Sequence, residues 1–364
     1  VKGLVVEFHR DLIKELGRCI GCGACNIPCP TFHIEDLRET EGARARVKLL
    51  SMLGYGRMEL TEEFLSYIFT CMNCGLCSQY CPAGIDVFGV IIDSRSSLID
   101  MGYVPLVTVD MRDAKRRTGS PIGEGLTKGV WLPPDFQPEK GADVLFFAGC
   151  WVHTVPEVAM SMNKILQKIS PSVTPAGPSE PCCGGLTYVI GERDSADESK
   201  ERLRAFINSL SPKRVVSGCS LCAGIFPDLQ VQYFSSFVEG ALNSKVVRLK
   251  SLKGKKNKIF LVPSCRSDGA SRRILESIKN AIVLETPDWV CCDCGATLIY
   301  QADPDKFDRW FRKITEIASD MDADYLVIEE VACYSMISNI LEGKNKYKGM
   351  KIISFPSFLA DHIS

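Results

Sequence analysis

The sequence predicts a mixed α/β chain: a helix-rich N-terminal region, then two related copies of an α/β unit with mostly parallel sheets. Three observations predict it. The first is a pair of cysteine runs, Cys19-Ile-Gly-Cys22-Gly-Ala-Cys25-Asn-Ile-Pro-Cys29-Pro30 and Cys71-Met-Asn-Cys74-Gly-Leu-Cys77-Ser-Gln-Tyr-Cys81-Pro82, which share the spacing C-x2-C-x2-C-x3-C-P and sit between helical patterns. The second is that, beyond residue 142, short apolar segments alternate with longer helical ones, the pattern of strands in a parallel sheet. The third is an internal duplication in which an apolar segment ends in a cysteine and a double cysteine follows.

In the N-terminal region, Asp11 to Leu16 reads as a short helix ending at Gly17, and Arg44 to Leu53 carries an apolar stripe. Thr61 caps a helix through Phe64, Leu65 and Ile68 that delivers Cys71, and Asp86 caps another through Val90, Ile91 and Leu98. Residues 1–118 are therefore expected to form one helical domain. Residues 119–142 are rich in Gly and Pro and lack periodicity, so they are expected to form a linker pinned by Trp131 and Phe136. The first copy is expected over 143–253 and the second over 254–364. Strands are expected at Asp143 to Gly149, Lys213 to Ser217, Val246 to Leu249, Lys258 to Val262 and Tyr325 to Ile328, with helices at Glu157 to Ile169 and Glu192 to Leu210. Ligands in such sheets collect beyond the carboxyl ends of the strands, where Cys150, Cys219, Cys265 and Cys333 fall.

The chemistry lies in the cysteines. A cubane iron–sulfur cluster needs four thiolates in tetrahedral array, and three cysteines spaced by three on a tight loop surround it on three sides. In the two-cluster ferredoxin arrangement the fourth comes from the other run, which predicts Cys19, Cys22, Cys25 and Cys81 on one [4Fe–4S] cubane and Cys71, Cys74, Cys77 and Cys29 on a second. Zinc sites pair their cysteines two and two, so a repeated triple followed by Cys-Pro fits them poorly. Gly21, Gly23 and Gly75 let amides approach the sulfides, and Ile20, Ile27 and Leu76 are expected to shield them from water.

Composition sets the class. At 46% hydrophobic and 24% charged the chain reads as an ordinary soluble globular protein, but 18 cysteines are unusual for one. The start, Val1 to Arg10, has no long apolar stretch, so the thiols are expected to meet a reducing cytoplasm and to serve as metal ligands. No stretch is long and apolar enough for a transmembrane helix, so membrane contact is expected only through a partner. The net charge of −1 gives no reason to expect nucleic acid, and the basic clusters Arg112 to Arg117 and Lys250 to Lys258 read as solvated loops.

The first copy reads C-x31-C-C-x35-C-x2-C at Cys150, Cys182, Cys183, Cys219 and Cys222. Five thiols exceed what zinc or a cubane uses, and adjacent cysteines suit neighbouring irons of a polynuclear site. This constellation, with its Cys182-Cys183-Gly184 motif, resembles the cysteine-rich (CCG) domain of the heterodisulfide reductase catalytic subunit and of iron–sulfur subunits of glycolate, lactate and glycerol-3-phosphate dehydrogenases. The order of a ferredoxin domain and two CCG copies resembles the fused form of heterodisulfide reductase. The resemblance implies that these five cysteines hold a noncubane [4Fe–4S] cluster that binds substrate sulfur and splits a disulfide in two one-electron steps.

The second copy departs from the pattern. Cys265, Cys291 and Cys292 match in order, but Asp293-Cys294-Gly295 follows the double cysteine, and Cys333-Tyr-Ser-Met336 has methionine where spacing aligns the last cysteine. Cys294 is a candidate replacement, and the copy is expected to hold a further iron–sulfur cluster, with zinc or no metal as alternatives. His153 is read as an ordinary hydrogen-bonded residue, and Gly184-Gly185 as room for a cluster and its amide hydrogen bonds. No nucleotide fingerprint is found, so electrons are expected from another subunit: a flavoprotein, another iron–sulfur subunit or a membrane cytochrome. The expected function is an iron–sulfur oxidoreductase subunit that reduces or forms a disulfide of small thiols. The alternative is a substrate-free electron-transfer subunit of a flavin-dependent 2-hydroxy-acid or glycerol-3-phosphate dehydrogenase. A metal-stabilised assembly scaffold is a further rival.

Overall fold

The computed structural model describes residues 6–123, 127–254, 256–341, 346–347 and 349–364. The extreme N-terminus, part of the expected linker and Lys255 of the second basic cluster lie outside the described residues.

In the N-terminal region Arg10–Gly17, Ala43–Gly54, Glu62–Phe69 and Val87–Asp100 are helices. Thr61 Oγ1 accepts from Phe64 N–H and the Asp86 carboxylate accepts from Gly89 N–H, the capping bonds that set where two of these helices begin. Their apolar faces bury Leu12, Leu16, Leu50, Phe64, Ile68 and Ile91 in one core. A further helix, Leu106–Thr118, replaces the loop expected around Arg112 to Arg117. Its charges are partnered: Arg112 pairs with Glu192, and Lys115 Nζ donates to the Ser195 carbonyl at 2.7 Å. Pro105 stands at its N-cap without a side-chain bond, so no polar capping signal announces it.

The second half holds two sheets. In the first, β1 (Val144–Phe147), β2 (Val173–Pro175), β3 (Arg214–Ser217) and β4 (Val231–Tyr233) run parallel in the order β2-β1-β3-β4. In the second, β5 (Asn257–Val262), β6 (Ala281–Val283), β7 (Tyr325–Ile328) and β9 (Met350–Ser354) run parallel, and the short β8 (Lys346–Tyr347) adds an antiparallel edge. The strand expected at Val246 to Leu249 is reduced to a single bridge between Leu249 and Ile363, and β4 takes the fourth place in the first sheet. With only three residues, β4 is too short to stand out as an alternating pattern.

Alternate residues of each central strand enter two different cores. Leu145 and Phe147 share one with Phe260, Val262, Leu326 and Ile328, while Val144 and Phe146 share the other with Ile259, Leu261 and Val327. Both cores run across both sheets, so the two copies are packed as one body. Residues 127–143 form no helix or strand, but Trp131 packs on the Phe146 ring at 5.9 Å. Among the described residues no helix is long and apolar enough to cross a membrane.

Two arginines, one buried and one half-buried, fasten the N-terminal region to this body. Arg95, fully buried, donates to the carbonyls of Ile68 and Val189 and to Asn73 Oδ1, each at 2.6 Å, and burial lowers its pKa to about 10. Arg266 donates to the Asn73 carbonyl at 2.7 Å and the Asp293 carboxylate at 2.6 Å, and lies 4.5 Å from the Phe88 ring centre. Arg95→Ala strands three buried acceptors and is expected to destabilise the chain by about 3 kcal/mol, read as a lower denaturant midpoint.

Candidate metal centres

Local backbone shapes the two N-terminal loops. Gly21, Gly23 and Gly75 adopt φ of 74°, 84° and 79°, which turn each run tightly enough for its thiols to face one point. Cys19, Cys22, Cys25 and Cys81 line one cavity, and Cys29, Cys71, Cys74 and Cys77 line another. Each cavity thus takes its fourth cysteine from the other run. Arg46, wholly buried, lines the second cavity and is held by the Thr31 hydroxyl, the Glu41 carbonyl and the Tyr67 ring. The Cys25 thiol is pushed up to about 12, first by burial and then by Cys29 and Cys19. Four soft donors around a small enclosed space, with one arginine in each wall, fit a cationic iron–sulfur core.

Shielding is distributed differently from the expectation. Ile20 and Ile27 are 71% and 58% exposed, so they face solvent instead of burying against the sulfurs, and Cys22 is exposed as well. Leu76 does pack against Cys74, Cys265 and Cys291.

In the first copy the five cysteines meet at the carboxyl ends of β1 and β3. Cys222 Sγ lies 3.1 Å from Cys183 Sγ, and hydrogen bonds link the thiols of Cys150 with Cys182, Cys182 with Cys183, and Cys219 with Cys222. The bonds from Cys182 and Cys222 hold Cys183 down to about 6. Gly184 N–H donates to Cys182 Sγ at 3.4 Å and Gly185 N–H to Cys183 Sγ at 3.3 Å, so the two glycines supply amides to the sulfurs. Gly149 brings the backbone so close that a Cβ there would lie 3.3 Å from Cys222 Sγ. Polyfunctional sulfur of this kind fits a site for several irons.

Glu180 is a functional neighbour that sequence reasoning missed. Its carboxylate accepts from Ala148 N–H at 2.8 Å and Gly149 N–H at 2.7 Å, fixing the turn before Cys150. An isolated Glu before Pro181-Cys182 carries no motif signal. His153 is buried, accepts from Gly129 N–H at 3.1 Å and lies 3.5 Å from Glu180. A cleft of about 630 Å³ reaches Cys182 and is lined by Arg112, Lys115, Lys128 and Arg202.

The second-copy cysteines do not converge on one point. Cys265 and Cys291 join Cys74 from the N-terminal region, all three sulfurs lying within 4.8 Å of one another. Cys292 and Cys333, both expected as ligands, are joined in a disulfide with Cα atoms 6.4 Å apart. Cys294, the candidate replacement ligand, hydrogen-bonds Cys219 of the first copy instead. The Asp293 carboxylate accepts from Gly295 N–H at 2.5 Å and binds Arg266, and the resulting turn at Cys294–Ala296 carries Cys294 to the seam between the copies.

Comparison with known proteins agrees with this division. The 4Fe-4S dicluster domain matches residues 15–85, and the cysteine-rich domain matches twice, at 144–226 and 263–338. The chain therefore carries one dicluster domain followed by two cysteine-rich domains. It is 25% identical over 61% of its length to a component of the dihydromethanophenazine:CoB–CoM heterodisulfide reductase of Methanosarcina barkeri, and spans 58% of that relative. It is 24% identical to a component of the CoM/CoB fumarate reductase of Methanothermobacter marburgensis over 95% of this chain and 73% of that one. It is also 23% identical to the probable glycolate oxidase iron-sulfur subunit of Bacillus subtilis, over 63% of this chain and 62% of the relative.

Two glycine variants test the close packing at the first-copy site. Gly184 has φ 85°, and a Cβ there would sit 2.7 Å from the Ala196 carbonyl oxygen, whereas Gly141 has φ 73° with open space around it. Gly141→Ala is expected to cost about 1 kcal/mol from backbone strain alone, and Gly184→Ala about 2 kcal/mol more, compared by denaturant melts.

Proposed function

We propose that this chain, an iron–sulfur protein of one dicluster domain and two cysteine-rich domains, is the subunit of an oxidoreductase that takes electrons singly from a partner and delivers them to the first cysteine-rich copy. There a small thiol–disulfide couple is interconverted: a disulfide takes up two electrons and two protons and leaves as two thiols, or the reverse. The observation that carries this reading is that second-copy cysteines reach both the N-terminal region and the five-cysteine site. Cys74 touches Cys265 and Cys291, Cys292 follows Cys291 and is bonded to Cys333, and Cys294 touches Cys219 of the five-cysteine site.

The cysteines assigned are Cys19, Cys22, Cys25 and Cys81 for one cubane, Cys29, Cys71, Cys74 and Cys77 for the other, and Cys150, Cys182, Cys183, Cys219 and Cys222 for a noncubane cluster. When bound, such clusters pass one electron at a time, and a site with an accessible iron accepts substrate sulfur. The protein's residues do the rest. Exposed Ile20, two residues from the exposed Cys22, offers an apolar entry point for a redox partner, which we take to be a flavoprotein, another iron–sulfur subunit or a membrane cytochrome. Glu180 and the glycine amides hold the first-copy thiols in position, and the cleft above Cys182 admits a small molecule. The second copy would hold a further iron–sulfur centre. Domain limits of 1–118, 143–253 and 254–364 and a cytoplasmic setting belong to the same proposal.

The likeness to a glycolate oxidase iron-sulfur subunit, together with the incomplete second copy, supports a second reading: an electron-transfer subunit, without a substrate of its own, for a flavin-dependent 2-hydroxy-acid or glycerol-3-phosphate dehydrogenase.

Anaerobic EPR of the loaded chain, oxidised with and without candidate thiols, separates the two. A paramagnetic signal that appears only with thiol, and is lost in Cys183→Ser while the ferredoxin-type signals persist, is expected for disulfide chemistry. Ferredoxin-type signals alone, indifferent to every thiol, would favour the electron-transfer subunit.

A further inference from the structure

Sulfurs from three separate segments meet where the N-terminal region touches the second copy. Cys74 comes from the loop of the second N-terminal run, Cys265 from the turn after β5, and Cys291 from the segment that leads into Asp293. All three are buried, their Sγ atoms lie within 4.8 Å of one another, and hydrogen bonds join the Cys74 thiol to both of the others. Leu76 packs on the group. The three segments are held by bonds that do not involve the thiols. Cys265 N–H donates to the Cys292 carbonyl at 3.1 Å and Cys292 N–H to the Pro263 carbonyl at 3.0 Å, so the stretches carrying Cys265 and Cys291 lie side by side. Arg266, next to Cys265, clamps the rest. It donates to the Asn73 carbonyl at 2.7 Å, one residue before Cys74, and to the Asp293 carboxylate at 2.6 Å, two residues after Cys291. At Gly295 a Cβ would stand 2.9 Å from the Met72 carbonyl oxygen, so the turn after Asp293 is pressed against the Cys74 loop as well.

The number of donors decides what such a group can hold. Cys292 and Cys333 are joined to each other and Cys294 is turned toward Cys219, so the second copy brings two free sulfurs here and Cys74 is the third. Three thiols are one short of a cubane of their own. They suit a single soft cation. With metal–sulfur bonds of about 2.3 Å, the sulfurs around a tetrahedral ion stand about 3.8 Å apart, which the spacing of this group admits. Asp293 is not a fourth ligand, because Arg266 and Gly295 N–H engage its two oxygens, and one tetrahedral position is left to an exogenous ligand. The Arg266 guanidinium beside Cys74 favours the thiolate form that a metal requires.

We propose that Cys74, Cys265 and Cys291 bind one soft divalent cation, iron or zinc, which locks the Cys74 loop onto the second copy. Cys74 also lines the cavity of Cys29, Cys71 and Cys77, and a thiolate sulfur has lone pairs for more than one metal, so Cys74 bridges this ion to the second cubane. The bridge rests on the assignment of Cys74 to that cubane, whereas the ion site rests on the three sulfurs alone. With iron, the ion is the further iron–sulfur centre proposed for the second copy; with zinc, it is a structural clamp.

The full chain, purified anaerobically with its clusters, is analysed for iron and zinc beside Cys265→Ala and Cys291→Ala, and each protein is reduced for EPR. Each variant is expected to lack one metal ion per chain and to keep both ferredoxin-type signals, that of the second cubane changed in shape. Unchanged metal content, or the loss of four irons together, overturns the proposal: the first means no ion, the second a polynuclear cluster. Loss of one ion with an unchanged cubane signal overturns the bridge and leaves the ion site. Should the variants not fold, anomalous difference maps at the iron and zinc edges from crystals of the parent chain decide. A single peak bonded to Cys74, Cys265 and Cys291 is expected, and its absence overturns the site. The identity of the metal judges the underlying reading separately, since iron supports an iron–sulfur centre in the second copy, while zinc removes that centre and leaves the three-sulfur site standing.

Discussion

A thiolate is hard to bury without positive charge beside it, and this chain gathers its thiols in groups of four or five, more sulfurs than the arginines and lysines beside each group. Burial raises the thiol pKa of Cys25, Cys29 and Cys77, and neighbouring thiols add to the effect at Cys25. Arg46, Arg95 and Arg266 stand near Cys29, Cys71 and Cys74, Lys115 and Lys128 near Cys182 and Cys150, and the amides of Gly184 and Gly185 reach Cys182 and Cys183. Binding of a cationic metal core replaces this unfavourable crowding with metal–sulfur bonds. Much of the remaining architecture follows from keeping those groups closed: positive-φ glycines in the loops, a shared pair of cores, and buried arginines tying loop carbonyls together.

The same constraint explains why the two copies are fused through common cores. Were β1 and β5 to belong to independently packed bodies, Cys294 could move away from Cys219. Instead Leu145 and Phe147 pack with Phe260 and Val262, and the helix Phe355–Ala360 of the second copy packs onto Pro156–Ile169 of the first. Arg266 performs the corresponding task on the other side, joining the Cys71 to Cys77 loop to Asp293 beside the second-copy cysteines. Rigid neighbours hold the sulfur groups at fixed separations, which one-electron carriers require.

Local chemistry was the legible part of the sequence. Cysteine spacing grouped each run, Thr61 and Asp86 marked two helix starts, and turn glycines marked the loops. Tertiary choices were not legible. The helix Leu106–Thr118 starts at Pro105 without a polar cap, and β4 has three residues, so neither leaves a strong local pattern. In the second copy, spacing does not show which sulfurs meet: Cys292 is joined to Cys333, and Cys294 reaches Cys219 of the first copy. Only the turn built by Asp293 directs Cys294 to the other copy. Contacts such as Cys74 with Cys265 and Cys291 join residues roughly two hundred positions apart, beyond the reach of any spacing rule.

The central claim is that the cysteines group across the chain as the structure groups them, each N-terminal run lending its fourth cysteine to the other and five gathering in the first copy. The most direct measurement is an iron-edge anomalous difference map from crystals of the anaerobically loaded chain. The account predicts separate iron peaks among Cys19, Cys22, Cys25 and Cys81, among Cys29, Cys71, Cys74 and Cys77, and among Cys150, Cys182, Cys183, Cys219 and Cys222. Iron held within single runs, with Cys29 beside Cys19 and Cys81 beside Cys71, or no iron at the first-copy site, would contradict it.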